Sequence, residues 1–210
     1  MARMQSEVTA EILCDIETIY NILQKKGFFF KEQLKQIDHY YTHLPINSAT
    51  TYKELALNSF LLREIVLKRR YMAGESSVLL YKRKRFDAAG NVIGEEKVSC
   101  DIEDTASADA VFQAAGLNNW CVKSITGHIF KKGNQELLIQ EVDGLGIFVE
   151  IEEFEQQKGT NYQRIEELIA FAKGLGLPLG NDMHVKINYL LFQKRIRKAK
   201  SGDKIYWGAP

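Results

Sequence analysis

The sequence has little of what marks a secreted, membrane-bound or strongly charged protein. Its 210 residues include only three cysteines, an odd number without metal-ligand spacing, which is typical of a reduced intracellular compartment. No apolar run is long enough for a signal peptide or a membrane span. Acidic and basic residues number 27 and 28, so the net charge predicts neither a specific nucleic acid nor a membrane as a partner. We therefore expect a cytoplasmic protein.

The motifs of the common nucleotide-binding folds are also missing. The chain contains neither G-x-x-x-x-G-K-[ST] nor G-x-G-x-x-G, so its sequence does not support a P-loop or a Rossmann fold. The four histidines, His39, His43, His128 and His184, form no pairs with metal-ligand spacing, and we interpret them as surface or hydrogen-bonded strand residues. No repeat or low-complexity linker divides the chain, which indicates a single domain over residues 1–210.

What the sequence does contain is an alternation of helix-like and strand-like hydrophobic patterns. Helices are predicted at 15–26, at 107–115 with Ser107 as N-cap, from a capping box at Thr160 to Leu175, and at 185–197. Strand-like runs are predicted at 28–41, 60–70, 77–86, 122–130, 136–142 and 147–154. Because short turns join several of these runs, the predicted fold class is α+β with a largely antiparallel sheet.

Acidic residues alternate with apolar ones on the last predicted strand. Successive side chains of a strand point to opposite faces. Val149 and Ile151 therefore share one face, whereas Glu150 and Glu152 share the other. The apolar face can pack under helices, and the two carboxylates then point to the opposite side of the sheet.

Basic residues alternate in the same way on two earlier strands. Lys82 and Lys84 share one face of the run 77–86, and Lys68 and Arg70 share one face of the run before it. An alternative register would use Arg63 and Glu64 in place of Lys68 and Arg70, at the cost of a longer hairpin.

Periodicity leaves two interpretations of these charged faces open. In the first interpretation, they are the solvated faces of an antiparallel sheet, with weak cross-strand ion pairs. Alternatively, the sheet closes on itself and the charged faces point inward. Carboxylates would then bind a divalent cation through oxygen ligands, while lysine and arginine side chains neutralise phosphate oxygens.

A family resemblance favours the second interpretation. Residues 140–152, QEVDGLGIFVEIE, resemble the pattern L-D-x-V-x-G-L-G-x-F-x-E-I-E of the CYTH family. Other segments agree in order: residues 36–41 resemble Q-x-D-x-Y-Y, 68–70 lie where R-x-R is expected, 79–82 resemble L-T-Y-K, and 188–191 resemble S-Y-x-x-L-L. The family includes class IV adenylate cyclases, thiamine triphosphatases and inorganic triphosphatases, which are also called triphosphate tunnel metalloenzymes.

The resemblance implies a fold, a ligand and a set of site residues. The implied fold is a closed or nearly closed antiparallel β-barrel, the tunnel, with helices packed outside; its core spans about 7–192, and a basic tail follows at 193–210. The implied partner is a small-molecule triphosphate or nucleotide with Mg²⁺ or Mn²⁺, and the protein is expected as a monomer or homodimer. The implied phosphate-binding residues are Lys68, Arg70, Lys82 and Lys84; the implied metal ligands are Glu150, Glu152 and Glu141; Asp38 and Glu96 belong to the same polar interior.

The chain departs from the family pattern at four places, one of which is Lys68 in place of an arginine. The E-x-E-x-K motif of strand one is missing from residues 7–13, and counting back from the first helix puts Ser6, Val8 and Ala10 in its three positions. The aspartate of the signature strand is Gln140, and no K-x-R motif precedes Phe130. Two hypotheses follow. The protein is an enzyme that hydrolyses an inorganic or organic triphosphate or cyclises ATP, with catalytic residues unassigned, or it is a degenerate domain that binds polyphosphate or nucleotide without turnover.

Overall fold

The structure, a computed structural model, describes residues 7–57, 59–68, 73–86, 88, 92–152 and 165–200. The strands in these ranges are β1 Glu7–Ile12, β2 Phe29–Thr42, β3 Ser59–Lys68, β4 Ala73–Phe86, β5 Val92–Ile102, β6 Asn118–Lys132, β7 Gln135–Val142 and β8 Gly146–Glu152. The helices are α1 Ile16–Lys25, α2 Tyr52–Leu57, α3 Thr105–Ala114, α4 Ile165–Gly174 and α5 Ile187–Lys200. The predicted α+β class is confirmed.

Helix α1 forms where the sequence predicts it. The side chain of Asp15 accepts a 2.7 Å hydrogen bond from the Thr18 amide and so caps the helix. Ile19 and Leu23 form its buried stripe. Gly27 follows with a φ of 84°, a conformation that favours glycine at a helix end.

Helix α3 begins earlier than its sequence suggests. Asp104 is its N-cap, because the amide of Ala106 donates to Asp104 Oδ1 at 2.9 Å. The prediction of Ser107 as N-cap is wrong: Ser107 lies in the first turn, and its hydroxyl donates to Asp104. The capping box predicted at Thr160 lies outside the described residues.

The strands form one antiparallel sheet in the order β1-β8-β7-β6-β2-β3-β4-β5. In the described ranges, β1 and β5 are the two edges, and no hydrogen-bonded ladder joins them. The expectation was a closed or nearly closed barrel, and only its closed form is corrected: hydrogen bonds do not close the described sheet.

The sheet nevertheless curls strongly enough to bring distant strands together. Strands β1 and β4 are six strand spacings apart, which would be about 29 Å in a flat sheet. Lys84 of β4 nevertheless forms an ion pair with Glu7 of β1, with 3.5 Å between Nζ and Oε1. The inner face of the sheet therefore surrounds a space, as in a tunnel.

A segment between α4 and α5 covers the edge of β1. The amide of Leu13 donates to the carbonyl of Pro178 at 2.7 Å, and the amide of Gly180 donates to Glu11 at 2.9 Å. Further along, the amide of Val185 donates to the carbonyl of Thr9 at 3.0 Å. This edge segment, residues 178–185, satisfies backbone groups that an uncovered edge strand would leave to water or to another chain.

Helices cover both faces of the sheet. Outside, α1 and α4 pack on an apolar core that includes Ile19, Leu168 and Val149. The expectation that all helices lie outside is corrected for α2 and α5, because Leu55 of α2 and Phe192 of α5 pack with inner-face side chains. Helix α5 also continues to Lys200, so residues 193–200 of the predicted tail are helical.

None of the helices in the described ranges is long and apolar enough to cross a membrane.

Candidate functional site

A polar cavity of about 130 Å³ lies on the inner face of the sheet. All eight strands contribute a lining side chain, as do α2 and the beginning of α5. The volume is well above the roughly 10–15 Å³ that a single water needs. The curl of the sheet thus creates room for a polyatomic ligand.

The alternation of side chains along β4 places its charges. Lys82 and Lys84 line the cavity, as the sequence predicts, whereas Arg83 between them is exposed. The same alternation on β1 directs Glu7 and Thr9 into the cavity.

Val8 and Ala10 lie on the opposite face of β1, where both are fully buried in the outer apolar core. Counting back from the first helix therefore assigned the wrong residues to the strand-one positions. Ser6 lies outside the described residues. Glu7, one of the two glutamates within residues 7–13, lines the cavity.

Positive charge dominates the described lining of the cavity. Two acidic side chains, Glu7 and Glu150, face six basic ones, an excess of four. The basic residues are Arg63, Lys82, Lys84, Lys97, Lys123 and Lys186.

The pKa of Glu7 reflects this surplus. Burial alone would raise its pKa, but Lys84, Lys82, Lys186 and Lys97 outweigh burial and hold the pKa of Glu7 at about 2. The Glu7 carboxylate therefore stays ionised throughout the physiological pH range.

A buried aspartate orients two of these cations. Asp38 is fully buried, and Arg63 donates to both of its oxygens, with 2.7 Å from Nε to Oδ1 and 2.9 Å from a terminal nitrogen to Oδ2. Lys123 Nζ lies 3.4 Å from Oδ2, and the Gln36 amide donates to both oxygens at 3.0 Å. Burial raises the pKa of Asp38, but Lys123 and Arg63 outweigh it and hold the pKa at about 2. Asp38 thus holds Arg63 and Lys123 in place at the cavity wall.

Gln140 and Glu150 form a second polar contact in the cavity. The Gln140 amide nitrogen donates to Glu150 Oε2 at 2.6 Å. Gln140 is 1% exposed, and its Oε1 finds no hydrogen-bond donor among the described residues. A buried carbonyl oxygen without a donor is energetically costly and suits a ligand that supplies a donor or a cation.

The structure brings together only part of the predicted site. Lys82, Lys84 and Glu150 line one cavity, and Asp38 lies directly behind its wall. Arg70 lies outside the described residues. Lys68, Glu96 and Glu152 occupy strands β3, β5 and β8, but their side chains are outside what the structure describes.

Glu141 does not belong to the cavity. Its carboxylate accepts a 2.7 Å hydrogen bond from His128 Nε2, and the Tyr20 hydroxyl donates to His128 Nδ1 at 2.9 Å. Tyr20 is on α1, so these linked hydrogen bonds lie on the outer face of the sheet. The expectation that Glu141 shares a metal site with Glu150 is therefore corrected: neighbouring positions, Gln140 and Glu141, point to opposite faces of β7.

Several cavity residues were missed from the sequence. Arg63 appeared only as an alternative, and Lys97, Lys123 and Lys186 were not considered. Lys123 belongs to β6, two residues before Ile125, and alternation along β6 would have identified it once the inner face was known. Lys186 precedes α5 and carries no such signal.

The described donors fit a divalent cation only in part. No group of three or more His, Cys, Asp or Glu side chains in the described part of the chain is placed to hold a metal ion. Glu150 and the Gln140 carbonyl oxygen are hard oxygen ligands of the kind that Mg²⁺ accepts. Mg²⁺ is commonly held by one or two carboxylates together with substrate phosphates, so this pair fits a metal that a phosphate also coordinates.

Solved structures share this architecture. The PH1819 protein from Pyrococcus horikoshii OT3 is 18% identical, with a TM-score of 0.63 over 89% of this chain and 98% of that one. A proposed adenylate cyclase from Vibrio parahaemolyticus is 16% identical, with a TM-score of 0.60 over 91% and 99%. A conserved hypothetical protein from Pyrococcus furiosus is 21% identical, with a TM-score of 0.55 over 83% and 95%.

The chain shares their fold. The fold shared with the proposed adenylate cyclase agrees with the fold that the resemblance to the CYTH family implies. No family profile and no curated protein sequence matches the chain. At these identities the likeness extends to the fold alone.

Proposed function

We propose that the protein binds the phosphate chain of a linear triphosphate in the basic cavity. The observation that carries this proposal is the six-to-two surplus of basic over acidic side chains in the described lining. Lysine and arginine side chains in a partly enclosed site bind phosphate oxygens through charge-assisted hydrogen bonds, and a triphosphate presents several negative charges in a row.

Different residues of the lining would contact different phosphate groups of the ligand. Arg63, held by Asp38, presents its remaining N–H groups in a fixed orientation, which suits directed contacts to oxygens. Lys82 and Lys84 act as point charges from β4. Lys186 and the first residues of α5 add the positive end of a helix dipole. Where a divalent cation accompanies the ligand, Glu150 and Gln140 Oε1 would hold it, and it would neutralise phosphate charge.

Turnover is the second candidate, either hydrolysis of the triphosphate or cyclisation of ATP. The family resemblance and the fold shared with a proposed adenylate cyclase support it. The described residues assign no general base: Glu7 has a pKa of about 2, which makes it a weak proton acceptor near neutral pH. Binding is therefore the activity that the geometry supports best.

The test is calorimetric titration with tripolyphosphate, thiamine triphosphate and ATP. We expect tripolyphosphate to bind the unmodified protein, and Lys82→Met and Lys84→Met each to weaken binding by about tenfold, the loss expected when one charge-assisted contact disappears. Arg83→Met is the matched control, because Arg83 lies between the two lysines but is exposed on the other face.

Equal affinities of all three variants and the unmodified protein would place the ligand elsewhere. A parallel assay for phosphate, pyrophosphate and cyclic AMP, with and without Mg²⁺ or Mn²⁺, decides between turnover and binding alone.

A further inference from the structure

The two edges of the sheet differ in how they are covered. The edge segment 178–185 forms hydrogen bonds with β1, whereas β5, the other edge, forms a ladder only with β4 among the described residues. The free side of an edge strand presents N–H and C=O groups that pair readily with a strand of another chain. Strand β5 is therefore the edge of the described sheet at which a further strand can add.

Residues 98–101 of β5 are exposed without interruption. Val98 is 65% exposed, and Ser99, Cys100 and Asp101 are exposed as well. Because successive side chains of a strand point to opposite faces, an element packed on one face would bury every second one. No described element therefore covers either face of this part of β5.

Polar and apolar residues alternate along β5. Lys97 lines the cavity, so its side of the strand is the inner face. Ile102 packs against the apolar cluster that includes Phe112 of α3, so its side is the outer face. The exposed stretch thus has a polar inner face, Ser99 and Asp101, and a less polar outer face, Val98 and Cys100.

Two-fold symmetry limits how two copies of β5 can pair. A two-fold axis between antiparallel strands keeps the inner faces of both copies on the same side of the joined sheet. The axis then passes beside one residue, which lies opposite its own copy. Every other residue is paired twice, because the interface presents the same surface from both chains.

Three of the four possible centres within residues 98–101 produce unfavourable pairs. Centring on Asp101 sets two carboxylates opposite each other, and centring on Val98 sets Glu95 opposite Asp101. Centring on Ser99 sets Glu96 opposite an apolar residue. Only the register centred at position 100 is left.

Centring on Cys100 pairs apolar residues on the outer face. Val98 then lies opposite Ile102, and Cys100 lies opposite its own copy. Within each chain, Leu79 of β4 is the neighbour of Cys100. The outer face would thus carry one apolar row from the β4 of one copy to the β4 of the other.

The same register pairs complementary polar residues on the inner face. Ser99 lies opposite Asp101, so a hydroxyl can donate to a carboxylate. One position further out, the opposite charges of Lys97 and Glu103 face each other. The pairing ends there, because Asp104 caps α3.

We propose that β5 is a self-association surface, through which two copies of the protein pair antiparallel over residues 97–103 about a two-fold axis at Cys100. The sheet of one copy continues into the sheet of the other. Because the paired segment is short, the interface belongs to the small class that forms weak complexes, and the dimer dissociates on dilution.

The experiment is sedimentation equilibrium of the full chain over a series of concentrations in a reducing buffer. We expect the average mass to rise from that of one chain towards twice that mass. Val98→Lys removes an apolar pair twice per dimer and should raise the dissociation constant about tenfold. Leu13→Lys is the matched control: Leu13 is 62% exposed, similar to Val98, but follows β1 at the other edge.

Oxidation with copper phenanthroline tests the register. Cys100 is exposed, whereas Cys14 is partly buried and Cys121 is buried. We expect a disulfide-linked dimer of the unmodified protein that is absent in Cys100→Ser. Adding Ser99→Cys to Cys100→Ser should restore little of it. The two copies of position 99 are diagonal neighbours about 7–8 Å apart, and a disulfide does not span more than about 7 Å.

Three results would overturn the inference. The first is a single-chain mass at every concentration. The second is a dimer that Val98→Lys weakens no more than Leu13→Lys does. The third is cross-linking that is stronger through position 99 than through Cys100. Circular dichroism confirms that each variant is folded, and cross-linking of the unmodified protein depends on no substitution.

Discussion

Replacing Asp38 by asparagine should destabilise the protein strongly near neutral pH and much less in acid. The pKa of Asp38 is about 2, against 3.8 for an unperturbed aspartate, because Lys123 and Arg63 outweigh the effect of burial. At 1.36 kcal/mol per pH unit, this difference corresponds to about 2.5 kcal/mol of stability. Removing one partner of a buried ion pair commonly costs about 3–5 kcal/mol, since the remaining charges stay buried without compensation.

The sign of the pH dependence follows from the direction of the pKa change. A carboxyl group whose pKa is lower in the folded state stabilises the fold fully above its unfolded pKa, and this contribution is lost as pH falls through the folded pKa. For Asp38 the window lies between about pH 4 and pH 2. Asparagine does not titrate, so the difference between the two proteins should shrink by about 2.5 kcal/mol across this window.

The measurement is urea unfolding at 25 °C, monitored by circular dichroism, at a series of pH values from neutral to acid. Asp143→Asn is the control, because Asp143 is exposed and a surface substitution is expected to change stability by less than about 0.5 kcal/mol. A cost of Asp38→Asn that is as small as that of the control, or one that stays constant down to pH 2, would refute the reasoning about the buried network.

Two further predictions concern the scaffold, and both are measured as free energies of unfolding in urea. Gly127→Ala should cost about 1–3 kcal/mol, because its Cβ would lie 2.8 Å from Leu34 Cδ1 and 3.0 Å from Leu138 Cδ1. Gly174→Ala is the control: open space surrounds Gly174, so this substitution should be neutral or stabilising. A similar cost for both substitutions would contradict the packing argument. Asp104→Ala should cost about 1 kcal/mol through loss of the α3 N-cap, and Ser107→Ala should cost less. A larger cost of Ser107→Ala than of Asp104→Ala would identify Ser107 as the capping residue instead.

The strands and the outer helices were predictable from the sequence because they rest on local patterns. Strand β8 alternates apolar and acidic residues, and α1 has an apolar stripe between a capping aspartate and a glycine. These signals need no knowledge of the rest of the chain. Helix α2 carried such a signal too: Thr51 and Glu54 form a capping box, in which the Glu54 carboxylate accepts from the Thr51 amide at 2.7 Å. The helix that this box begins is only six residues long.

The composition of the site was less predictable because it depends on which face of each strand turns inward. Glu141 and Gln140 are adjacent, and one points to the outer face and the other to the cavity. The family pattern predicted Glu141 as a site residue, whereas its neutral neighbour Gln140 is the residue that lines the cavity. Lys123 and Arg63 meet only because Asp38 on β2 lies between β3 and β6, a pairing that no local pattern reveals.

The curl of the sheet was beyond sequence reasoning for a related reason. The contact between Lys84 and Glu7 joins residues that are distant in the chain and in the strand order. The family resemblance suggested a tunnel. It did not predict that the edge segment 178–185 covers β1, or that the described β1 and β5 are not joined by hydrogen bonds.

Strand β1 links correct folding to the assembly of the cavity. Its odd-numbered residues Glu7 and Thr9 line the cavity, while Val8 and Ala10 complete the apolar core outside. A slip of one residue against β8 would exchange these two sets, burying a carboxylate among apolar side chains. Such a chain would lose its apolar core and the polar lining of its cavity at once. Molecules of this protein that have buried their apolar surface correctly should therefore also be the ones whose cavity is correctly lined.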